Sequence, residues 1–259
     1  MKNPYIINTH SHANMLKDTN IDEAIQNAQD SNIITIVPSS SADDIFGVDK
    51  FIQKYDDVYG YVGVFPEEVK TFTDKTLNNM ESIIRSNKKI IGIGEVGLDY
   101  YWDKSFKELQ KEVFIKQIEF ANEMNLPINI HSREAHLDTL EILKKYNKNS
   151  TAILHCFSGS LKFANECIKE GIYIALGGVV TFKNAIKAKE VAANIPLEYL
   201  LLETDDPYLA PVPFRGKENQ PVYVKYVAEC IANLRSISTD EVAQATTKNA
   251  ERIFNFNAK

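Results

Sequence analysis

Cysteine, histidine and surplus positive charge are all scarce in this chain. Its three cysteines, Cys156, Cys167 and Cys230, are scattered through 259 residues with no CxxC pair. That excludes a disulfide scaffold and makes a reducing cytoplasm the expected setting. Lysine and arginine number 29 against 35 aspartates and glutamates, a net charge of −6. A general polyanion-binding surface is therefore not expected, and a nucleic acid would need a local basic strip or metal cations to receive its phosphates. No apolar run approaches the ~20 residues of a membrane span. The opening MKNPYIINTHSH enters an apolar segment at once, without the charged region and longer apolar stretch of a secretory leader. Linkers, low-complexity tracts and internal repeats are missing as well, which leaves one domain over 1–259. A length near ~250 residues is ordinary for a single α/β barrel.

What is present is an alternation of short apolar, β-branched runs with longer amphipathic segments. The runs are Tyr5–Asn8, Ile33–Pro38, Tyr59–Val64, Ile90–Glu95, Ile128–His131, Thr151–His155, Ile172–Leu176 and Tyr199–Glu203. Helical patterns lie between them: Asp22–Gln29, Asp44–Lys54, Asp74–Arg85, Phe106–Asn125, Arg133–Lys145, Leu161–Glu170, Lys183–Asn194 and Val222–Leu234. Near-continuous apolar strands are those of a parallel sheet covered on both faces, and eight βα units close into a TIM (β/α)8 barrel. Ser238 and Glu241 have the spacing of a capping box that opens a last helix to about Phe254.

Four of the five histidines end apolar runs: His10 and His12 in YIINTHSH, His131 in LPINIH and His155 in TAILH. Glu95 in IIGIGE and Asp205 in YLLLETD do the same. Such groups suit the rim of a parallel sheet, where strand ends converge, and together they describe a metal site, with two metals the natural occupancy. On a strand, the spacing of His10 and His12 puts both side chains on one face. Glu203 and Asp205 share a face by the same rule, with Asp205 nearer the mouth and Glu203 deeper, placed to steady a ligand histidine. Glu95 must be compensated by a basic partner or by metal. His136 lacks such a placement and reads as a solvated helix residue.

These residues resemble the TatD-like metal-dependent deoxyribonucleases of the amidohydrolase-like barrel group. The resemblance is carried by THSH, GIGEVGLDYYWD at 92–103, INIHSREAHLDTLEIL at 128–143, ILHCFSGS at 153–160, LGGVVTFKNA at 176–185 and LLETDDPYLAPVPFRGKENQP at 201–221. It implies two divalent ions, His10 and His12 on one, His131 and His155 on the other, and Glu95 bridging them. Asp205 would bind the first ion and take a proton from the attacking water. The implied substrate is DNA, single-stranded or at its ends, shortened from the 3′ end. Arg215 in PFRGK, and less directly Arg133, would hold a flanking phosphate.

Two positions depart from the family pattern. Asn8 stands where an Asp is usual, and Phe65 in GVFP where a His in GxHP is usual. Phe65 cannot ligate metal or protonate a leaving group, but it offers a face for a nucleobase. The competing reading is an esterase or deacylase of the amidohydrolase type acting on a carbonyl, including D-aminoacyl-tRNA, since a metal pair polarises a carbonyl as readily as a phosphoryl group. A binding protein that kept the fold without catalysis is a third. Four imidazoles suit zinc, manganese or cobalt, whereas the resemblance suggests magnesium. No obligate protein partner is evident.

Overall fold

A computed structural model describes residues 5–254 and 256; the reading of the N-terminus rests partly on Met1–Pro4, outside them. The strands are β1 (Ile6–Asn8), β2 (Ile33–Pro38), β3 (Val58–Val62), β4 (Ile90–Asp99), β5 (Ile128–Arg133), β6 (Ala152–Leu154), β7 (Tyr173–Leu176) and β8 (Leu200–Leu202). They form a closed barrel in chain order, the α/β TIM barrel that the alternating pattern predicts. The helices are α1 (Ile21–Asp30), α2 (Ile45–Ile52), α3 (Asp74–Ser86), α4 (Lys107–Met124), α5 (His136–Tyr146), α6 (Leu161–Lys169), α7 (Ile186–Asn194), α8 (Val224–Arg235) and α9 (Thr239–Phe254). No helix among the described residues is long and apolar enough to cross a membrane.

Chain contacts separate two compact units, 1–37 with 156–259, and 38–155. In the first, β1 pairs in parallel with both β2 and β8, and β8 with β7. The last helix closes this unit from below. Asn249 donates from its side-chain amide to the carbonyls of Leu197 (2.7 Å) and Leu200 (2.9 Å), fixing the entry to β8. Its start is the expected capping box: the Ser238 hydroxyl accepts from the Glu241 N–H, and the Glu241 carboxylate accepts from the Ser238 N–H.

In the second unit β3, β4, β5 and β6 pair in parallel in that order. The sequence predicts that β4 stops at Glu95, but the strand runs on to Asp99 with all its residues buried. A register shift between Ile93 and Val96 against β5 permits this. Gly97 makes it possible: its φ is +136°, and a Cβ there would lie 2.0 Å from the His131 carbonyl oxygen. Helix α5 likewise starts at His136 rather than at Arg133, because Ser132 and Arg133 still pair with Leu98 and Asp99.

Candidate metal centre

In the first unit, β1 ends at Asn8, so His10 and His12 lie in the loop beyond it. Strand alternation is not what brings them together. The His10 carbonyl accepts from the N–H groups of Thr204 (3.3 Å) and Asp205 (3.1 Å), and the His12 N–H donates to the Asp206 carbonyl at 2.8 Å. The segments after β1 and β8 are thus laced to each other. Their Nε2 atoms stand 3.1 Å apart, and Asp205 Oδ1 lies 3.8 Å from His10 Nε2 and 3.6 Å from His12 Nε2. Asp205 gets there through a left-handed backbone, φ 56°, since β8 has already ended at Leu202. Side-chain strand alternation therefore does not reach Asp205 either. Asn219 clamps this turn, donating to the carbonyls of Thr204 (2.8 Å) and Tyr208 (2.7 Å) on either side of Asp205.

Two imidazole nitrogens and a carboxylate oxygen facing one another fit a divalent cation. Donors bound at 2.0–2.1 Å sit roughly 3.3–3.4 Å from each other around a tetrahedral zinc-like ion; the two imidazole nitrogens are near that spacing, and the carboxylate oxygen stands beyond it at 3.6 and 3.8 Å.

Asn8 has an evident reason to be an amide. It donates to the Thr204 hydroxyl at 2.8 Å and accepts from the Thr204 N–H at 2.9 Å. The same hydroxyl donates to the Asp206 carboxylate. An aspartate at position 8 would leave that hydroxyl between two carboxylates with one proton to give. Asp206 is fully buried, and burial, only partly offset by the Thr204 and Ser11 hydroxyls, pushes its carboxyl up to about 6.

In the second unit, Glu95 Oε1 lies 2.7 Å from His155 Nε2 and 3.1 Å from His131 Nδ1, and those two nitrogens are 3.3 Å apart. Glu95, His131 and His155 therefore converge as a second triad of ligand atoms. The other ring nitrogen of His131, Nε2, meets Asp99 Oδ2 at 2.9 Å. Burial opposes a charged His131, but the Asp99 and Glu95 carboxylates outweigh it and raise its pKa to about 9. The pocket favours positive charge at this point, as a cation site must.

Asp99 was missed by the sequence reading. Glu95 and Asp99 bracket Gly97 on one strand, so their alternation was the available signal once β4 was extended. A carboxylate behind a ligand histidine fixes its tautomer and orientation. We expect Asp99→Asn to weaken divalent-metal binding at the Glu95 triad about 10–100-fold. The amide would donate to His131 Nε2 and force the proton onto Nδ1, the nitrogen that faces Glu95. Calorimetric metal titration checks this, with unchanged affinity the contrary result.

The remaining expected site residues are placed as follows. Arg133 is exposed, its guanidinium 3.8 Å from the Tyr101 ring centroid. Arg215 is exposed and stacked 3.7 Å over Phe182. Among the described residues neither guanidinium is tied up in an ion pair. Phe65 meets the His131 ring edge-on, centroids 4.9 Å apart. Glu203 is buried and accepts from the Cys156 N–H. His136, expected to be solvated, is half-buried at the start of α5, its Nδ1 3.1 Å from the Ser132 hydroxyl.

The sequence profile of the family described as "TatD related DNase" matches residues 7–255. The chain belongs to the TatD family of metal-dependent hydrolases. It is 44% identical over 262 residues to an uncharacterized metal-dependent hydrolase, YabD of Bacillus subtilis, covering 97% of this chain and 100% of that one. The crystal structure of YjjV, a TatD homologue from Escherichia coli K12, matches with a TM-score of 0.91 at 31% identity, covering 97% of this chain and 98% of that one. Dihydropyrimidinase from Brevibacillus agri aligns with a TM-score of 0.67 at 12% identity, over 98% of this chain and 71% of that one, a likeness of fold alone.

Proposed function

We propose that this TatD-family protein is a nuclease that hydrolyses phosphodiester bonds at DNA ends, shortening single strands from the 3′ end. The observation that carries the reading is the pair of candidate ligand triads, His10–His12–Asp205 and Glu95–His131–His155. Each triad would hold one divalent cation, magnesium, manganese or zinc. A divalent cation so held would lower the pKa of a bound water and take up charge on phosphoryl oxygens.

The protein's own groups would do the rest. Asp205 accepts the proton of the attacking water, its side chain held at the turn that Asn219 clamps. Glu95 would supply the negative charge that keeps a cation in place between His131 and His155. Arg215, and less directly Arg133, would take a flanking phosphate, each guanidinium already oriented by an aromatic ring. The net charge of −6 predicts modest affinity for a polynucleotide and binding that weakens with salt.

The test is hydrolysis of end-labelled single-stranded DNA by metal-stripped protein, resupplied separately with magnesium, manganese or zinc. Stepwise 3′ shortening that appears only with metal is the expected result. Intact DNA with every metal would overturn the reading.

A further inference from the structure

The chain has one tryptophan, Trp102, and it is left 64% exposed. Tyr101 beside it is 46% exposed, the two rings edge-to-face with centroids 4.8 Å apart. Large aromatic surface facing water marks an interaction site more often than an accident of folding. The cations around it support that. Arg133 lies 3.8 Å over Tyr101 and 5.5 Å from Trp102, Lys107 4.1 Å over Tyr100, and Lys70 4.4 Å over Phe106. All lie in the β4–α4 loop or beside it, within one unit.

Three of the acidic groups here are engaged, and a fourth, Glu67, lies close enough to feel the charges of Asp99 and Arg133. Asp99 binds His131 and accepts from the Tyr101 N–H at 2.8 Å. Asp103 accepts from the Ser105 N–H at 2.8 Å. Glu134 pairs with Lys104 at 3.6 Å. Arg133 has no ion-pair partner among the described residues. Its charge is held on ring faces and available to an incoming anion. Asp99 also sets the distance to the chemistry, since one oxygen holds the His131 ring and the other holds the backbone of the aromatic pair.

We propose that Tyr101, Trp102 and Arg133 form a stacking platform for a single-stranded polynucleotide, with a base on the exposed indole and a phosphate on the guanidinium. Alternating rings and cations are what a flexible strand requires, because every base has a face to stack and every linkage a charge. A duplex, whose bases are already stacked, gains nothing from the indole. The inference rests on the nuclease reading and deepens it by naming the residues that would seat the bases of the strand.

Because Trp102 is the only tryptophan, its fluorescence reports this site alone. The metal-loaded protein is titrated with phosphorothioate-linked (dT)8, with (rU)8 of the same linkage, and with an abasic octamer that keeps the phosphates. Quenching by (dT)8 or (rU)8 but not by the abasic strand is expected, and whichever binds more tightly identifies the sugar. Trp102→Ala should raise KM for (dT)8 with ordinary linkages about tenfold or more. Its hydrolysis of bis(p-nitrophenyl) phosphate should stay within twofold, and Trp102→Phe should restore most of the KM. Metal-dependent cleavage of DNA with no quenching and an unchanged KM in Trp102→Ala overturns the platform and leaves the nuclease standing. Quenching by (dT)8 that is never cleaved with any metal supports the platform and removes the nuclease reading.

Discussion

Glu95→Gln is expected to lower metal-dependent hydrolysis by on the order of 10³-fold or more, and to cost the protein a bound metal equivalent. Glu95 is the only anionic donor in its triad, since Asp99 lies behind His131 rather than beside it. Its Oε1 is within 3.1 Å of both histidine nitrogens, so its one charge serves the whole cluster. The amide is nearly the same size and keeps an oxygen for one of those contacts. Two neutral imidazoles and an amide would then face a divalent cation with no compensating charge. The measurement is metal content by mass spectrometry beside the hydrolysis rate, at several metal concentrations. A variant that keeps full metal content and full rate would show that the Glu95 triad is not a metal site.

The outline of this site was legible because its ligands are rare residue types in conspicuous positions. Four histidines ending apolar runs leave few alternatives, and their scarcity made each one count. The barrel was legible for a related reason: strands buried on both faces lose the polar alternation that would mark an open antiparallel sheet. Where the reading failed, long-range geometry decided. Nothing local in IIGIGEVGLDYY says that β4 will slip its register at Ile93 and continue to Asp99; the slip is set by the approach of β5 at Gly97. So Asp99, which orients His131, stayed hidden.

Asn8 is a second such case. Compared with a family pattern it reads as a loss of charge. Its partner Thr204 lies at the far end of the chain, and only the folded contact shows that the amide's donor and acceptor are both used. Position 65 is less complete: Phe65 packs against the His131 ring, and its packing accounts for a ring there without accounting for the loss of a histidine. Strand alternation predicts a shared face for His10 and His12, and the family resemblance adds Asp205 to them; in the structure the three converge through loop-to-loop backbone bonds and a left-handed turn. The same three residues can be brought together by a different local geometry when the strand ends are short.

That turn makes Asp205→Asn the cleanest probe of the chemistry. Residues with φ near +56° resist most side chains, but asparagine tolerates this region about as well as aspartate. The N–H of residue 205 still donates to the His10 carbonyl, and Asn219 still bridges Thr204 and Tyr208. The substitution therefore removes the charge and the proton acceptor while keeping the backbone. A lost ligand charge alone weakens metal binding, and excess metal overcomes it. A lost base cannot be replaced in that way, and typically costs 10²–10⁴-fold in rate. We expect Asp205→Asn to hydrolyse its substrate about 10³-fold more slowly at saturating metal, with its melting temperature close to that of the parent protein. Recovery of the parent rate at high metal concentration would reduce Asp205 to a ligand and move the search for the base to another group around His10 and His12.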